Sequence, residues 1–178
     1  MEKDDALKSM KKIILIGPES TGKSTLSKEL AVHFNCDYIE EFARGYIDKK
    51  KTSYQQDELL TMAQGQLALE ENAPSSKPYL FIDTDLIVIK VWSNHKYGSC
   101  DPWVLEKIEK QKKENRFYLL CKPDIPWEND PQRENPNDRE NLFDIYKTEL
   151  ESLGHRYFTI EGASRIEKSI LKISTLTS

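Results

Sequence analysis

The stretch that most constrains this chain is Lys12–Leu30, KIILIGPESTGKSTLSKEL. An apolar run Ile13–Ile16 leads into Gly17-Pro-Glu-Ser-Thr-Gly22-Lys23-Ser24, and a helix-forming segment follows. Glycines and a Lys-Ser pair at this spacing let successive backbone N–H groups curl around a polyphosphate. Lys23 then reaches the outer phosphates and the Ser24 hydroxyl is free to ligate magnesium. Gly17, Glu19, Ser20, Thr21, Gly22 and Thr25 complete the cradle. The pattern is a Walker A loop. Such a loop works only where a buried strand feeds a turn whose amides open a helix, at its positive dipole end, and both flanks are present here. A chance match in a chain of this length is on the order of one per cent, which sets a plain Gly/Ser surface turn aside.

A chain of 178 residues is the size of one domain with one substantial core. The expected division is a flexible N-terminal segment over 1–11 and a single domain over 12–178. A net charge of -4, with 31% charged residues, argues against coating nucleic acid or an anionic membrane as the main task. Phosphate binding is therefore local, and neither a nucleic-acid nor a membrane partner is expected. Every apolar run falls well short of the roughly 20 residues of a membrane span. The N-terminus MEKDDALKSMKK lacks the apolar centre of a secretory signal, which points to the cytoplasm. Cys36, Cys100 and Cys121 form no CxxC pair, and His33, His95 and His155 have no ligand spacing. Buried or incidental thiols and surface or capping imidazoles are the readings.

Strand-like segments at Lys12–Ile16, Tyr38–Glu40, Tyr79–Asp83, Phe117–Cys121 and Tyr157–Ile160 alternate with helical ones. The helices are read over Gly22–Phe34, from Glu41, and over Tyr54–Asn72, Asp85–His95, Pro102–Lys113, Leu142–Leu153 and Ser164–Ile173. This predicts an α/β P-loop NTPase fold: a doubly wound, mainly parallel five-stranded sheet with helices on both faces and ligands at the strands' carboxyl ends. Lys122–Asn141 holds Pro123, Pro126, Pro131 and Pro136 among many charges. It is neither strand nor long helix, and it is too long for an ordinary connection, so it reads as a lid over about 122–141.

The chemistry should follow each strand end. After the second strand, Glu41 and Arg44 share a helical face. They suit either a surface ion pair or a carboxylate that takes an acceptor hydroxyl's proton beside an arginine near a transferring phosphate. Asp83, ending the third strand, is the metal candidate with Ser24. Asp85 serves equally as a helix cap or a substrate contact. In the lid, Trp127, Asp130, Arg133 and Arg139 stand out, since arginines arriving on closure can neutralise a moving phosphoryl group. The plain alternative is a solvated charged loop.

Together these residues resemble the ribosylnicotinamide kinase domain of the NadR type, small P-loop kinases of nicotinamide riboside. The likeness rests on GPESTGKST, Glu41-Phe42-Ala43-Arg44, Phe81-Ile82-Asp83-Thr84-Asp85 and Trp127-x-x-Asp130-x-x-Arg133 with Arg139 further on. It implies ATP and magnesium as cosubstrates, a ribonucleoside 5′-hydroxyl as acceptor, and Trp127 as a stacking surface for the pyridine ring. The expected catalytic set is Lys23, Glu41, Asp85, Arg133 and Arg139, with Glu41, Arg44, Asp85, Trp127 and Asp130 on the acceptor. Fused members carry a preceding nucleotidyltransferase domain and a DNA-binding segment, for which this chain has no room, so neither activity is expected. Two alternatives stand beside this one: the same transfer to another nucleoside or vitamin-like acceptor, and a regulatory nucleotide-hydrolysing switch. A guanine-specific GTPase is disfavoured because no Asn-Lys-x-Asp stretch occurs.

Overall fold

In the computed structural model of the chain, residues 10–74 and 76–177 are described. Five strands, β1 (Lys11–Ile16), β2 (Asp37–Ile39), β3 (Tyr79–Asp83), β4 (Arg116–Cys121) and β5 (Tyr157–Ile160), pair in the order β2-β3-β1-β4-β5, every pair parallel. The helices are α1 (Lys23–His33), α2 (Phe42–Lys50), α3 (Gln56–Glu71), α4 (Leu86–Tyr97), α5 (Pro102–Gln111), α6 (Arg139–Ser152) and α7 (Arg165–Ser174). The expected flexible start falls mostly on residues 1–9, outside the described residues. Met10 already packs on the core and Lys11 opens β1.

A parallel sheet covered on both faces requires strands that are apolar on both sides, and β1 meets that demand residue by residue. Ile14 and Ile16 enter one core with Leu80, Ile82, Tyr118 and Leu120, under α3, α4, α5 and α6. Ile13 and Leu15 enter the other with Phe81, Phe117 and Leu119, under α1 and α7. The register sets Leu15 opposite both Asp83 and Leu119, so three strand ends open at one level. Two glycines permit close approaches there and behind it. A side chain at Gly17, whose φ is 145°, would place Cβ 2.5 Å from the Cys121 carbonyl oxygen. One at Gly65 in α3 would drive into the Phe42 ring at 2.3 Å. That ring contact, with the Phe42 N–H bonded to Gln66 Oε1 at 2.8 Å, fixes where α2 starts and hence where Glu41 stands.

Under the same core lies a buried charge cluster. Arg116 reaches Glu70 Oε2 from both terminal nitrogens, at 2.8 and 2.9 Å, and approaches Asp85 Oδ2 at 3.5 Å. All three side chains are excluded from solvent. Removing one partner of such a cluster strands the opposite charge in a medium of low dielectric. Arg116→Met is therefore expected to lower unfolding free energy by about 3–5 kcal/mol. A urea titration followed by circular dichroism reads this as a lower midpoint.

Several boundaries shift by one to three residues from the sequence reading. The irregular segment after β4 ends at residue 138, because α6 begins at Arg139 rather than Leu142. The first turn of α6 is polar and lacks the apolar spacing by which a helix is recognised. α4 runs on to Tyr97 and stops at Gly98, whose φ of 77° closes the helix in the left-handed conformation. Among the described residues, no helix is long and apolar enough to cross a membrane.

Candidate active site

The phosphate loop leaves β1 at Gly17 and enters α1 through Gly22, which adopts φ 77°. The amides opening α1 thus point back into the loop, and the Leu26 N–H returns to the Gly22 carbonyl at 3.0 Å. Lys23 Nζ donates to the Pro18 carbonyl at 2.7 Å, holding its charge over the loop's mouth. Ser24 Oγ donates to Asp83 Oδ2. Asp83 is 2% exposed, and its second oxygen, Oδ1, is buried with no hydrogen-bond partner among the described residues. Burial raises its pKa, while Lys23 and the bond from Ser24 oppose the rise. Thr84 follows in the left-handed region at φ 67°, tied by its N–H to the Leu15 carbonyl at 3.0 Å. Backbone strain of this kind persists only where the surroundings hold it, and here it turns the chain at the sheet's carboxyl edge.

A cavity of about 1540 Å³ opens from this loop. It exceeds the roughly 300–1,000 Å³ of a site for one small molecule, so it has room for a nucleotide and a second substrate. Gly17 and Glu19 to Thr25 line one part. Glu41, Arg44, Asp83, Trp92 and Arg133 line the same cavity. Glu41 is the residue before α2, yet its carboxylate makes no capping bond. Burial in the cleft wall, and next the charge of Asp83, push its pKa up to about 7 against the pull of Lys23 and Arg44. Such a group holds or releases a proton near neutrality.

Residues 122–138 fold down over the loop. Ser20, at φ 55°, accepts the Glu128 N–H on its hydroxyl at 2.9 Å, and Arg133 Nη1 lies 3.3 Å from the same oxygen. Arg133 also donates to the Glu128 carbonyl at 2.5 Å. Beside these contacts, Asp130 pairs with Arg44 and Glu134 pairs with Lys96 at 2.7 Å.

Several expected site residues stand elsewhere than the sequence reading put them. Asp85 does not line the cavity: it is 1% exposed, accepts the Ile87 N–H at 3.0 Å as the cap of α4, and accepts from Tyr118 Oη at 2.7 Å. Of its two readings, the cap is the one observed. Arg139 belongs to α6, and both its terminal nitrogens reach the Ile125 carbonyl at 3.1 Å while Nη1 also reaches the Ser20 carbonyl at 3.1 Å. Its charge clasps lid to loop and lies outside the cavity lining. The Trp127 ring likewise lies outside the lining and carries the guanidinium groups of Arg133 and Arg139, at 6.0 and 5.6 Å. Asp130 holds Arg44 and the Gln132 N–H rather than facing the cleft. Glu19 lines the cleft but turns its carboxylate to the lid backbone.

Residues not singled out for the site also line it, Arg165 and His95 among them. Arg165 lines the cavity and donates to the Thr21 and Lys122 carbonyls at 3.0 Å each, tying the phosphate loop to the ends of β4 and β5. Its place just past the carboxyl end of β5 is the signal that would have found it. His95, read as a surface histidine, lines the cavity and meets Asp138 at 3.2 Å.

Comparison with known proteins agrees with this architecture. Over 123 residues, 65% of this chain, the sequence is 28% identical to the trifunctional NAD biosynthesis/regulator protein NadR of Salmonella typhimurium, covering 29% of that protein. A solved NadR protein in complex with NR superposes with a TM-score of 0.74 at 22% identity, over 93% of this chain and 51% of that one. Thymidylate kinase from Ehrlichia chaffeensis superposes with a TM-score of 0.63 at 14% identity, over 96% of this chain and 100% of that one. The chain thus spans about a third to a half of the NadR proteins it matches, and it shares the P-loop kinase fold of the solved ones. The resemblance first read from GPESTGKST and FIDTD holds in sequence and in fold. The AAA domain family matches residues 12–168, and the chain belongs to that family.

Proposed function

We propose that this chain is a small-molecule kinase that transfers the γ-phosphoryl group of ATP to the 5′-hydroxyl of nicotinamide riboside. The observation that carries the reading is one cavity lined both by the phosphate-binding groups of the loop and by Glu41 and Arg133. The similarity to NadR proteins, one of them solved with NR bound, supports the choice of acceptor.

In this reading the loop amides and Lys23 hold the β- and γ-phosphates. Ser24 and Asp83 would hold magnesium, and the buried, unpartnered Asp83 Oδ1 fits that duty. Two protein ligands suffice, because magnesium takes its remaining ligands from water and phosphate. The bound ion supplies charge neutralisation on the phosphate oxygens. Glu41 orients the acceptor hydroxyl and takes its proton as the acceptor oxygen bonds to the γ-phosphorus. The bond from that phosphorus to the bridging oxygen breaks, and ADP leaves. Arg133 stabilises the charge on the phosphoryl group in flight.

A base acts only when deprotonated. The expected wild-type kcat/KM therefore rises with pH through about 7, the pKa of Glu41, and then levels. Glu41→Gln is expected to lower kcat about 10²–10⁴-fold and to abolish that ionisation. An unchanged pH profile in the Gln variant would remove Glu41 from the reaction. The acceptor itself is tested by ADP release with nicotinamide riboside beside other nucleosides, thiamine and shikimate. Release that is strongest with the riboside supports the reading, and release equal with and without any acceptor contradicts it.

A further inference from the structure

Glu19 stands at one of the positions the Walker A pattern leaves free, and its carboxylate is directed at the lid. Each of its oxygens accepts the Glu134 N–H at 3.1 Å. Oε2 also accepts the Asn135 N–H at 2.9 Å and lies 3.5 Å from Asn135 Nδ2. Two adjacent backbone donors on one ionised carboxylate make a charge-assisted contact, roughly twice as strong as a neutral one. The turn that presents them is closed by the Arg133 N–H on the Asp130 carbonyl at 3.0 Å, so Arg133 lies within the segment that Glu19 grips.

Two of the lid's ion pairs are of a different kind. Arg44 with Asp130 and Lys96 with Glu134 each keep a third or more of one side chain in water. Exposed pairs of that sort contribute little. Glu19 acts from within the phosphate loop. The Pro18 carbonyl just before it holds Lys23 Nζ at 2.7 Å, and bound phosphates compete for that ammonium group. In the kinase reading, nucleotide binding would therefore act on the peptide that precedes the Glu19 side chain.

We infer that Glu19 is a positioning residue, a latch that holds residues 133–135 on the phosphate loop and so keeps Arg133 over the transferring group. Its kinetic consequence rests on the kinase reading, but its structural one does not. Amide hydrogen exchange separates the two, because the Glu134 and Asn135 N–H groups are the latch's own donors. With magnesium and a non-hydrolysable ATP analogue present, Glu19→Ala is expected to speed exchange in peptides spanning residues 130–138 by at least about tenfold. Glu19→Gln, which keeps the shape and one acceptor oxygen, should fall between Ala and wild type. Nucleotide affinity should move less than about threefold, while kcat falls about 10- to 100-fold, the scale of a misplaced catalytic group. Hydrolysis without acceptor should rise relative to transfer as water enters under the lid.

Exchange within twofold of wild type in a folded Ala variant would overturn the latch. So would a tenfold loss of nucleotide affinity with exchange unaltered, which would make Glu19 a nucleotide ligand instead. If the Ala variant fails to fold, the Gln variant decides by the same exchange criterion. Faster exchange in an enzyme that phosphorylates no acceptor would keep the latch and sink the kinase.

Discussion

Lys23→Ala is expected to lower phosphoryl transfer by roughly 10³-fold or more, because in the proposed reaction it removes a fixed positive charge where charge develops in the transition state. In the structure the ammonium group is held on the Pro18 carbonyl and lies 3.5 Å from Thr21 Oγ1, so it is poised at the loop rather than committed to an acid. Nothing in either core depends on it. The variant should therefore keep its circular dichroism spectrum and unfolding midpoint while losing turnover. Turnover within threefold of wild type would show that the loop does not bind the reacting phosphates.

Arg133→Ala is expected to cost about 10³–10⁵ in kcat, the range for an arginine that meets a transferring phosphoryl group. Arg133 lines the cleft beside Ser20, and its partners there are a hydroxyl and a carbonyl, so its charge remains for substrate. Its nearest acid is Glu128, at 3.9 Å and well exposed. Arg139→Ala should behave differently even though the two arginines share the Trp127 face. Arg139 bonds the Ser20 and Ile125 carbonyls, so its loss should loosen the lid, lower the unfolding midpoint and reduce kcat less than Arg133→Ala does. Steady-state kinetics beside thermal unfolding distinguishes the pair. Equal effects of the two substitutions on kcat would return both to a shared structural role.

The contrast shows what the sequence could specify. Ile13–Ile16, the glycines at 17 and 22 and the acid ending Tyr79–Asp83 all obey local rules, and the strand, loop and Ser24–Asp83 contact appear where those rules put them. Arg139 was misplaced for a local reason too: its helix opens on Arg-Glu-Asn, without an apolar residue to mark the turn. Asp85 could be decided only by distant residues. Its partners Tyr118 and Arg116 come from β4, and Glu70, which shares Arg116, comes from α3. A motif such as FIDTD reports spacing, and spacing does not reveal which carboxylate turns into the sheet and which faces the cleft. Glu19 was hidden similarly, because the donors it meets lie more than a hundred residues away on the lid.

The most direct test is a single-turnover reaction with γ-labelled ATP, magnesium and nicotinamide riboside, with the label located by product analysis. The reading predicts label on the riboside 5′-oxygen at a rate far above that of label released as inorganic phosphate. Label appearing only as inorganic phosphate, at a rate indifferent to the riboside, would contradict it.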